Sequence, residues 1–209
     1  MPASDASPAF GFGFCNASCS PMMSRAVAAA AADHSCVCRL LLEPGDEDEK
    51  PRSGPELRLP LSMSDFKPLF AIKAKVTSHS GCMEMEAVKL GLLRLTRVQR
   101  HHAHRGAFLV DAQAVGFALR KGRSSGPSLQ PGARAVAAIL LAADLKLSFP
   151  YLPSESNPAD FPSRGKVRKC RKVKRQSKQS IRKTGIEAQE RAYRKVFRRW
   201  RQRGSTVAM

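Results

Sequence analysis

Positive charge is concentrated in one stretch of this 209-residue chain, which carries a net charge of +19. Between Arg164 and Arg203 there are 18 Lys and Arg residues and only two acidic residues. Such a segment buries too little apolar surface to fold alone, so the sequence predicts a tail. The preceding residues are nearly neutral and long enough for one hydrophobic core. We therefore expect one domain over 1–165 and a basic tail over 166–209.

The tail combines a charged first part with a patterned second part. Thr184 and Glu187 form a capping-box pattern, after which apolar residues recur at helical spacing, predicting a basic amphipathic helix over about 186–203. Three roles suit this composition: nucleic-acid binding, nuclear import, or attachment to an anionic membrane. Nucleic acid is favoured, and the expected phosphate-binding residues at the start of the tail are Arg164, Lys166, Arg168 and Lys169.

The start of the chain lacks the basic residues and apolar core of a secretory leader. We therefore expect an intracellular protein, nuclear or cytoplasmic, whose six cysteines are reduced. The apolar run at 26–32 is far shorter than the about 20 residues needed to cross a bilayer, so no membrane span is expected.

Hydrophobic periodicity alternates between strand and helix along residues 1–165, which predicts an α/β fold. Alternating Phe and Gly at 10–14 indicate a strand, and helical patterns follow at 87–98, 112–122 and 133–145. Two short apolar runs, 36–42 and 57–61, flank an acidic Pro/Gly segment and are expected to form a hairpin. Residues 146–152 are expected at a sheet edge, because Pro150 has no N–H to donate.

Four acidic residues stand where such a fold could bring them together. Asp5 precedes a strand, Glu84 lies early in a helix, Asp111 ends a strand, and Asp160 lies in a Pro-rich turn. Asp160 alone is equally explained as a first-turn acid that complements the helix dipole. A converging set of carboxylates would instead bind a divalent cation.

Four motifs resemble the ribonuclease H domain of DIRS-like retroelement polymerases, in the order that this family has them. They are DASPAFGFG at 5–13, HSGCMEMEA at 79–87, LVDAQAVGFALRKGRS at 109–124 and YLPSESNPADFPSRG at 151–165. The last is the most specific. In the second motif Glu84 takes the position of the family's glutamate, and Glu86 is its rival.

This resemblance implies a ribonuclease H-like mixed five-stranded sheet flanked by helices. It also implies two Mg²⁺ ions, roughly 4 Å apart, that serve hydrolysis of the RNA strand of RNA/DNA hybrids. Asp5 would bridge both ions, Glu84 and Asp111 would complete one site, and Asp160 would hold the other. The family's first strand begins further upstream and a polymerase domain precedes it, so we expect an N-terminally clipped domain or a fragment of a longer reading frame.

Arg120, Lys121 and Arg123 follow the predicted helix after Asp111. They could contact substrate phosphates, or they could simply complement the dipole at the helix end. Two other functions stay open: a catalytically inactive nucleic-acid-binding protein of the same fold, and a basic structural protein whose acidic residues are incidental.

Overall fold

The computed structural model describes residues 1–32, 36–41 and 55–166. The predicted helix at 186–203 and the predicted phosphate ligands Arg168 and Lys169 lie outside these ranges. Within them the chain forms seven strands and five helices. The α/β class expected from the sequence is confirmed.

The elements follow one another in mixed order. The strands are β1 (Pro2–Ala6), β2 (Gly11–Asn16), β3 (Val37–Arg39), β4 (Glu56–Arg58), β5 (Lys67–Lys73), β6 (Arg105–Ala107) and β7 (Lys146–Ser148). The helices are α1 (Pro21–Ala30), α2 (Ser80–Thr96), α3 (Gln113–Lys121), α4 (Gln130–Ala142) and α5 (Asp160–Ser163). Strand β2 confirms the alternating Phe/Gly pattern, and α3 ends at Gly122, whose φ of 65° suits a helix C-terminus.

The strands pair in three small sheets. β1, β2 and β5 form an antiparallel sheet in the order β1-β2-β5, while β3-β4 and β6-β7 are parallel pairs. Single parallel bridges join these sheets: Ala3 to Leu109, and Tyr151 to both Val110 and Val37. β1 is therefore hydrogen-bonded to β2 on one side and to Leu109, two residues beyond β6, on the other.

Two strand predictions were wrong. The runs at 36–42 and 57–61 do not form a hairpin, because β3 and β4 pair in parallel. Nor is the segment around Pro150 a sheet edge, since Tyr151 bridges to neighbours on both sides. The carbonyl of Pro150 accepts a hydrogen bond from the Val110 N–H at 3.2 Å, so the missing N–H of proline removes no bond there.

Apolar side chains fill both faces of the strands. Successive residues of a strand point to opposite faces, so Phe14 and Cys15 enter different clusters. One cluster contains α1, including Met23 and Val27. The other contains α2, α3 and α4, with Phe14 and Phe108 packed at a ring-centroid distance of 5.9 Å. Helices therefore pack against both faces of the strands.

Helix α4 is less buried than its apolar sequence predicts. Ala133 and Val136 pack in the core, but Leu141 is 82% exposed. None of the helices in the described ranges combines the length and apolar character needed to cross a bilayer.

Candidate metal centre

Three carboxylates converge at one end of the strands. Asp5, Glu84 and Asp111 each offer an oxygen, and these oxygens lie within 4.8 Å of one another. Asp5 lies in β1 and Glu84 lies in α2. Asp111 comes directly after Leu109 and Val110, which extend the chain beyond β6. We call these three residues the acidic triad. Three of the four acidic side chains singled out in the sequence therefore lie close together in the fold.

Asp5 is the most enclosed member of the triad, with only 6% of its surface exposed. Across the β1-β2 ladder it faces Gly13. A Cβ at Gly13 would lie 2.4 Å from both the Ala159 carbonyl oxygen and the Ser163 nitrogen. Only glycine leaves room for residues 159–164, which we call the α5 segment, to pack so closely on β2. This packing covers Asp5.

Glu84 is positioned by the start of α2. The helix begins at Ser80 after His79, whose ring Nδ1 accepts a hydrogen bond from the Gly81 N–H at 3.2 Å. The Ala6 N–H, next to Asp5, donates to Glu84 Oε1 at 3.2 Å. This bond ties the helix to the end of β1 and directs the Glu84 carboxylate into the triad.

Glu86, the rival of Glu84 in the sequence, lies outside the triad. Its carboxylate pairs with Lys89 Nζ at 2.6 Å, one turn along the same helix. Residues two apart on a helix point in different directions, so only one of the two glutamates can face Asp5. The structure selects Glu84.

Asp111 follows directly on the strand residues that hold β1 in place. The Leu109 N–H donates to the Pro2 carbonyl at 2.9 Å, and Leu152 N–H donates to the Val110 carbonyl at 2.9 Å. The backbone is therefore fixed on both sides up to the residue before Asp111. Helix α3 begins two residues later.

Asp160, the fourth predicted ligand, is not a member of the triad. It is the first residue of α5, and its Oδ1 accepts a hydrogen bond from Arg164 Nε at 2.8 Å in an i,i+4 ion pair. Its negative charge is nevertheless close enough to contribute to raising the pKa of Asp5. Asp160 thus borders the site with its carboxylate already paired.

Asn157 is a site residue that the sequence interpretation missed. It is 1% exposed, and its amide Nδ2 donates to the Ser4 carbonyl at 3.0 Å and to Asp5 Oδ1 at 3.4 Å. Its Oδ1 accepts from the Ala159 N–H at 3.0 Å. It lies inside the motif at 151–165, in which only Asp160 and Arg164 are expected to take part in the site.

Burial and mutual repulsion raise the pKa values of two carboxyl groups in the triad. Burial, followed by the charge of Asp111, raises the pKa of Asp5 to about 8. Burial and the charges of Asp111 and Asp5 raise the pKa of Glu84 to about 9. Asp5 and Glu84 therefore favour their protonated forms at neutral pH.

These observations fit a hard divalent cation. Carboxylate oxygens are the ligands that Mg²⁺ prefers, and a cation would replace the retained protons. In the described part of the chain, no Lys or Arg forms an ion pair with a triad member. Among the described residues, no cationic side chain therefore contacts the triad directly.

The predicted phosphate-binding residues occupy different environments. Arg120 turns back onto the fold: its Nε donates to the Phe149 carbonyl at 2.9 Å, and its guanidinium lies 5.8 Å from the centre of the Phe117 ring. Burial lowers the pKa of Arg120. Lys121 and Arg123 are exposed at the end of α3, about 13 Å along the helix from its start near Asp111.

Arg164 and Lys166 follow α5, whose C-cap residue is Arg164. Lys166 is exposed, and Arg164 is exposed while it pairs with Asp160. Both are available at the surface next to the segment that covers Asp5.

No family model, curated protein or solved structure matches this chain. The fold and the site define a mixed α/β protein in which the buried Asp5 and the half-buried Glu84 and Asp111 form an acidic triad that could hold a metal ion.

Proposed function

We propose that the chain is a metal-dependent nuclease of the ribonuclease H class that hydrolyses the RNA strand of RNA/DNA hybrids. The observation that carries this proposal is the convergence of Asp5, Glu84 and Asp111 within 4.8 Å. These three residues are among the four that the motif resemblance selects as ligands. Convergence of predicted ligands from three separate elements would be a coincidence in a basic structural protein.

The strand arrangement also supports the proposed class. β5, β2 and β1 are antiparallel, and the bridge from Ala3 to Leu109 continues them into the parallel pair β6-β7. Joined through that bridge, these five strands would make the mixed sheet that the resemblance implies. Helices on both faces match the same plan.

Each side chain near the site has a distinct task in this proposal. Asp5, Glu84 and Asp111 hold the cation, and Mg²⁺ when bound would activate water and stabilise the leaving 3′ oxygen. Asn157 fixes the Asp5 carboxylate through its amide, and the Ala6 N–H fixes Glu84. The α5 segment excludes water from Asp5, which strengthens its attraction for a cation.

Cleavage of an end-labelled RNA/DNA hybrid with Mg²⁺ tests the proposal. Asp111→Asn should lower the rate about a thousandfold, since loss of a metal ligand removes several kcal/mol of transition-state stabilisation. Asp144→Asn is the matched control, because Asp144 is an exposed acid after α4. It should cleave like the wild type. Equal rates for both variants would refute the nuclease proposal.

The second candidate is a nucleic-acid-binding protein of this fold without activity. The observation that favours it is the ion pair with Arg164, which engages Asp160 outside the triad. Hybrid binding that falls steeply with added salt, without any cleavage by the folded full chain, would support it. In either case the chain would belong to a retroelement polyprotein or derive from one, with an upstream reverse transcriptase domain as its natural partner.

A further inference from the structure

A cavity lies at the ends of β1 and α2 that are remote from the acidic triad. It has a volume of about 210 Å³ and is bordered by Pro2 of β1, by Leu95 of α2 and by Gly106 of β6. Pro2 precedes Asp5 by about 10 Å along an extended strand. Leu95 follows Glu84 by about 16 Å along the helix. The cavity is therefore separate from the candidate metal centre.

The inner surface of this cavity is mainly apolar. Its apolar lining includes Met1, Leu95, Ala107, Leu145 and Leu147, and no acidic residue of the described ranges lines it. Sites for drug-sized molecules have volumes of about 300–1,000 Å³, so this cavity is smaller. It therefore has room for one ring system rather than for a large cofactor.

Two histidine side chains line the same cavity and are held by the backbone. His101 Nδ1 donates a hydrogen bond to the Leu95 carbonyl at 2.9 Å, and His104 Nδ1 donates to the His102 carbonyl at 2.6 Å. A carbonyl oxygen can only accept, so Nδ1 carries a proton in both rings. Each ring is thus fixed through Nδ1, and Nε2 is the nitrogen left for a ligand.

Arg105 adds a positive charge at the edge of the cavity. It follows His104 directly, lines the cavity and is exposed, and Lys146 lies beside it across the parallel β6-β7 ladder. In the part of the chain that the structure describes, no carboxylate forms an ion pair with Arg105. A guanidinium recognises phosphate through its planar set of donors. The edge of the cavity therefore suits an anionic group.

The turns that carry these residues have a strained backbone. Ala103 has φ 54° and Asp144 has φ 48°, and these are the two non-glycine residues with positive φ in the described ranges. The Ala103 N–H donates to the Ala143 carbonyl at 2.9 Å, which holds the two turns together. Most side chains disfavour this backbone region, and such strain is concentrated at ligand sites. The two turns bring His104 and Leu145 to one cavity.

We propose that this cavity binds one nucleotide of single-stranded nucleic acid, with the base on the apolar surface beside the two imidazole rings and the phosphate on Arg105. Unpaired bases stack on flat side chains such as histidine, whereas the bases of a duplex stack on one another. The site would therefore select a strand end or an unpaired position. It adds a binding function to the proposed nuclease and does not depend on a bound metal.

The lining favours a nucleotide over simpler ligands. A phosphate group alone would leave the apolar surface unoccupied, and an uncharged ring would leave Arg105 without an anion. A cation is disfavoured, because Arg105 and Lys146 lie next to the histidines and would repel it.

Titration of the full chain with deoxyadenosine 5′-monophosphate in EDTA, followed by NMR, tests the site. The chain has five histidines, and the imidazole signals of His101 and His104 are assigned by their loss in His101→Asn and His104→Asn. The nucleotide should shift these two signals and leave that of His79, at the start of α2, unchanged. Nucleotide bound only by the basic tail would shift neither.

The parts of the nucleotide are tested separately. It should bind at least about fivefold more tightly than deoxyadenosine or inorganic phosphate, because only the nucleotide contacts both the apolar surface and Arg105. A single-stranded oligodeoxyadenylate should shift the same two histidine signals. The same strand paired in a duplex should not, since its bases are stacked.

Arg105→Gln should weaken nucleotide binding about fivefold and leave deoxyadenosine binding unchanged, because it removes the phosphate contact alone. Arg100→Gln is the matched control. Arg100 is an exposed arginine of the same segment that does not line the cavity, so its loss removes the same charge. This control should bind the nucleotide like the wild type.

Three results would each overturn the nucleotide site. The first is a nucleotide that shifts neither histidine signal, and the second is inorganic phosphate that binds as tightly as the nucleotide. The third is equal weakening by Arg105→Gln and Arg100→Gln, which would indicate general charge attraction. Asp111→Asn should bind the nucleotide like the wild type, so failure of this site and failure of the nuclease proposal are separate outcomes.

Discussion

Asp5 and Gly13 face each other across the antiparallel β1-β2 ladder, and the close packing of α5 on that glycine encloses the aspartate. The site thus depends on a residue that has no functional group. Space at Gly13 is as necessary as charge at Asp5.

Gly13→Ala should destabilise the fold by about 1–3 kcal/mol, because the new methyl group would overlap the α5 backbone. Urea unfolding measures the change. Gly126→Ala is the control, since a Cβ there would meet only the Ser124 hydroxyl, at 3.6 Å. It should stay within about 0.5 kcal/mol of wild type. Equal stability of the two variants would show that α5 does not pack as described.

Glu84→Gln should abolish stabilisation by Mg²⁺, whereas Glu86→Gln should preserve it. Both changes remove one negative charge from α2, but only Glu84 belongs to the triad, and Glu86 pairs with Lys89. Thermal unfolding with Mg²⁺ or with EDTA gives the comparison. The reverse result would assign the ligand position to Glu86.

Without a divalent cation, the protein should lose stability as pH rises from about 4 to about 9. The ordinary pKa values of Asp5 and Glu84 are 3.8 and 4.5, but in the fold their pKa values are about 8 and about 9. The folded state therefore binds more protons than the unfolded state in this range. Linkage then requires the free energy of unfolding to decrease with rising pH. Urea unfolding in EDTA across the range measures it.

Mg²⁺ should counteract this loss, and more strongly at higher pH, because it binds the deprotonated carboxylates. Asp111→Asn should reduce the pH dependence in EDTA, since the Asp111 charge contributes to both raised pKa values. Asp144→Asn should leave it unchanged. If the free energy of unfolding in EDTA does not vary with pH, the pKa values of Asp5 and Glu84 are not raised in the fold.

Asn157→Ala should cost about 1–3 kcal/mol, because the Ser4 carbonyl and the Ala159 N–H would lose their buried partner. Asn157→Asp keeps the size of the side chain but replaces the amide donor with an acid next to Asp5. Asn157→Asp should therefore lose more stability near pH 8 than near pH 5, because the new carboxyl group is more protonated at pH 5 and repels Asp5 less. Urea unfolding at the two pH values separates loss of a hydrogen bond from charge repulsion.

Three of the four acidic residues that the sequence singles out lie in the triad, and Asp160 does not. The motif resemblance selects the set, and the local pattern supports two of its members. Asp111 follows an apolar run, and Glu84 opens a helical pattern. Asn157 could not be recognised in this way, since its role depends on contacts with Ser4 and Asp5 at the other end of the domain. A turn signal describes the local backbone and not the partner of a side chain.

The strand errors have a similar cause. The alternation that marks a strand is the same whether it pairs in parallel or antiparallel, so the runs that became β3 and β4 contained no signal for their direction. Pro150 was placed at an edge because it lacks an N–H. The Val110 N–H donates a hydrogen bond to the Pro150 carbonyl, so this pairing does not need the N–H that proline lacks.

The bridge between Ala3 and Leu109 links the first strand to a segment made much later during synthesis, and Asn157 reaches Asp5 later still. The chain must therefore be synthesised at least as far as Asp111 before the three carboxylates can meet, and as far as Asn157 before Asp5 gains its amide partner. A shorter nascent chain would carry Asp5 without Glu84 and Asp111, so the metal centre could not yet form.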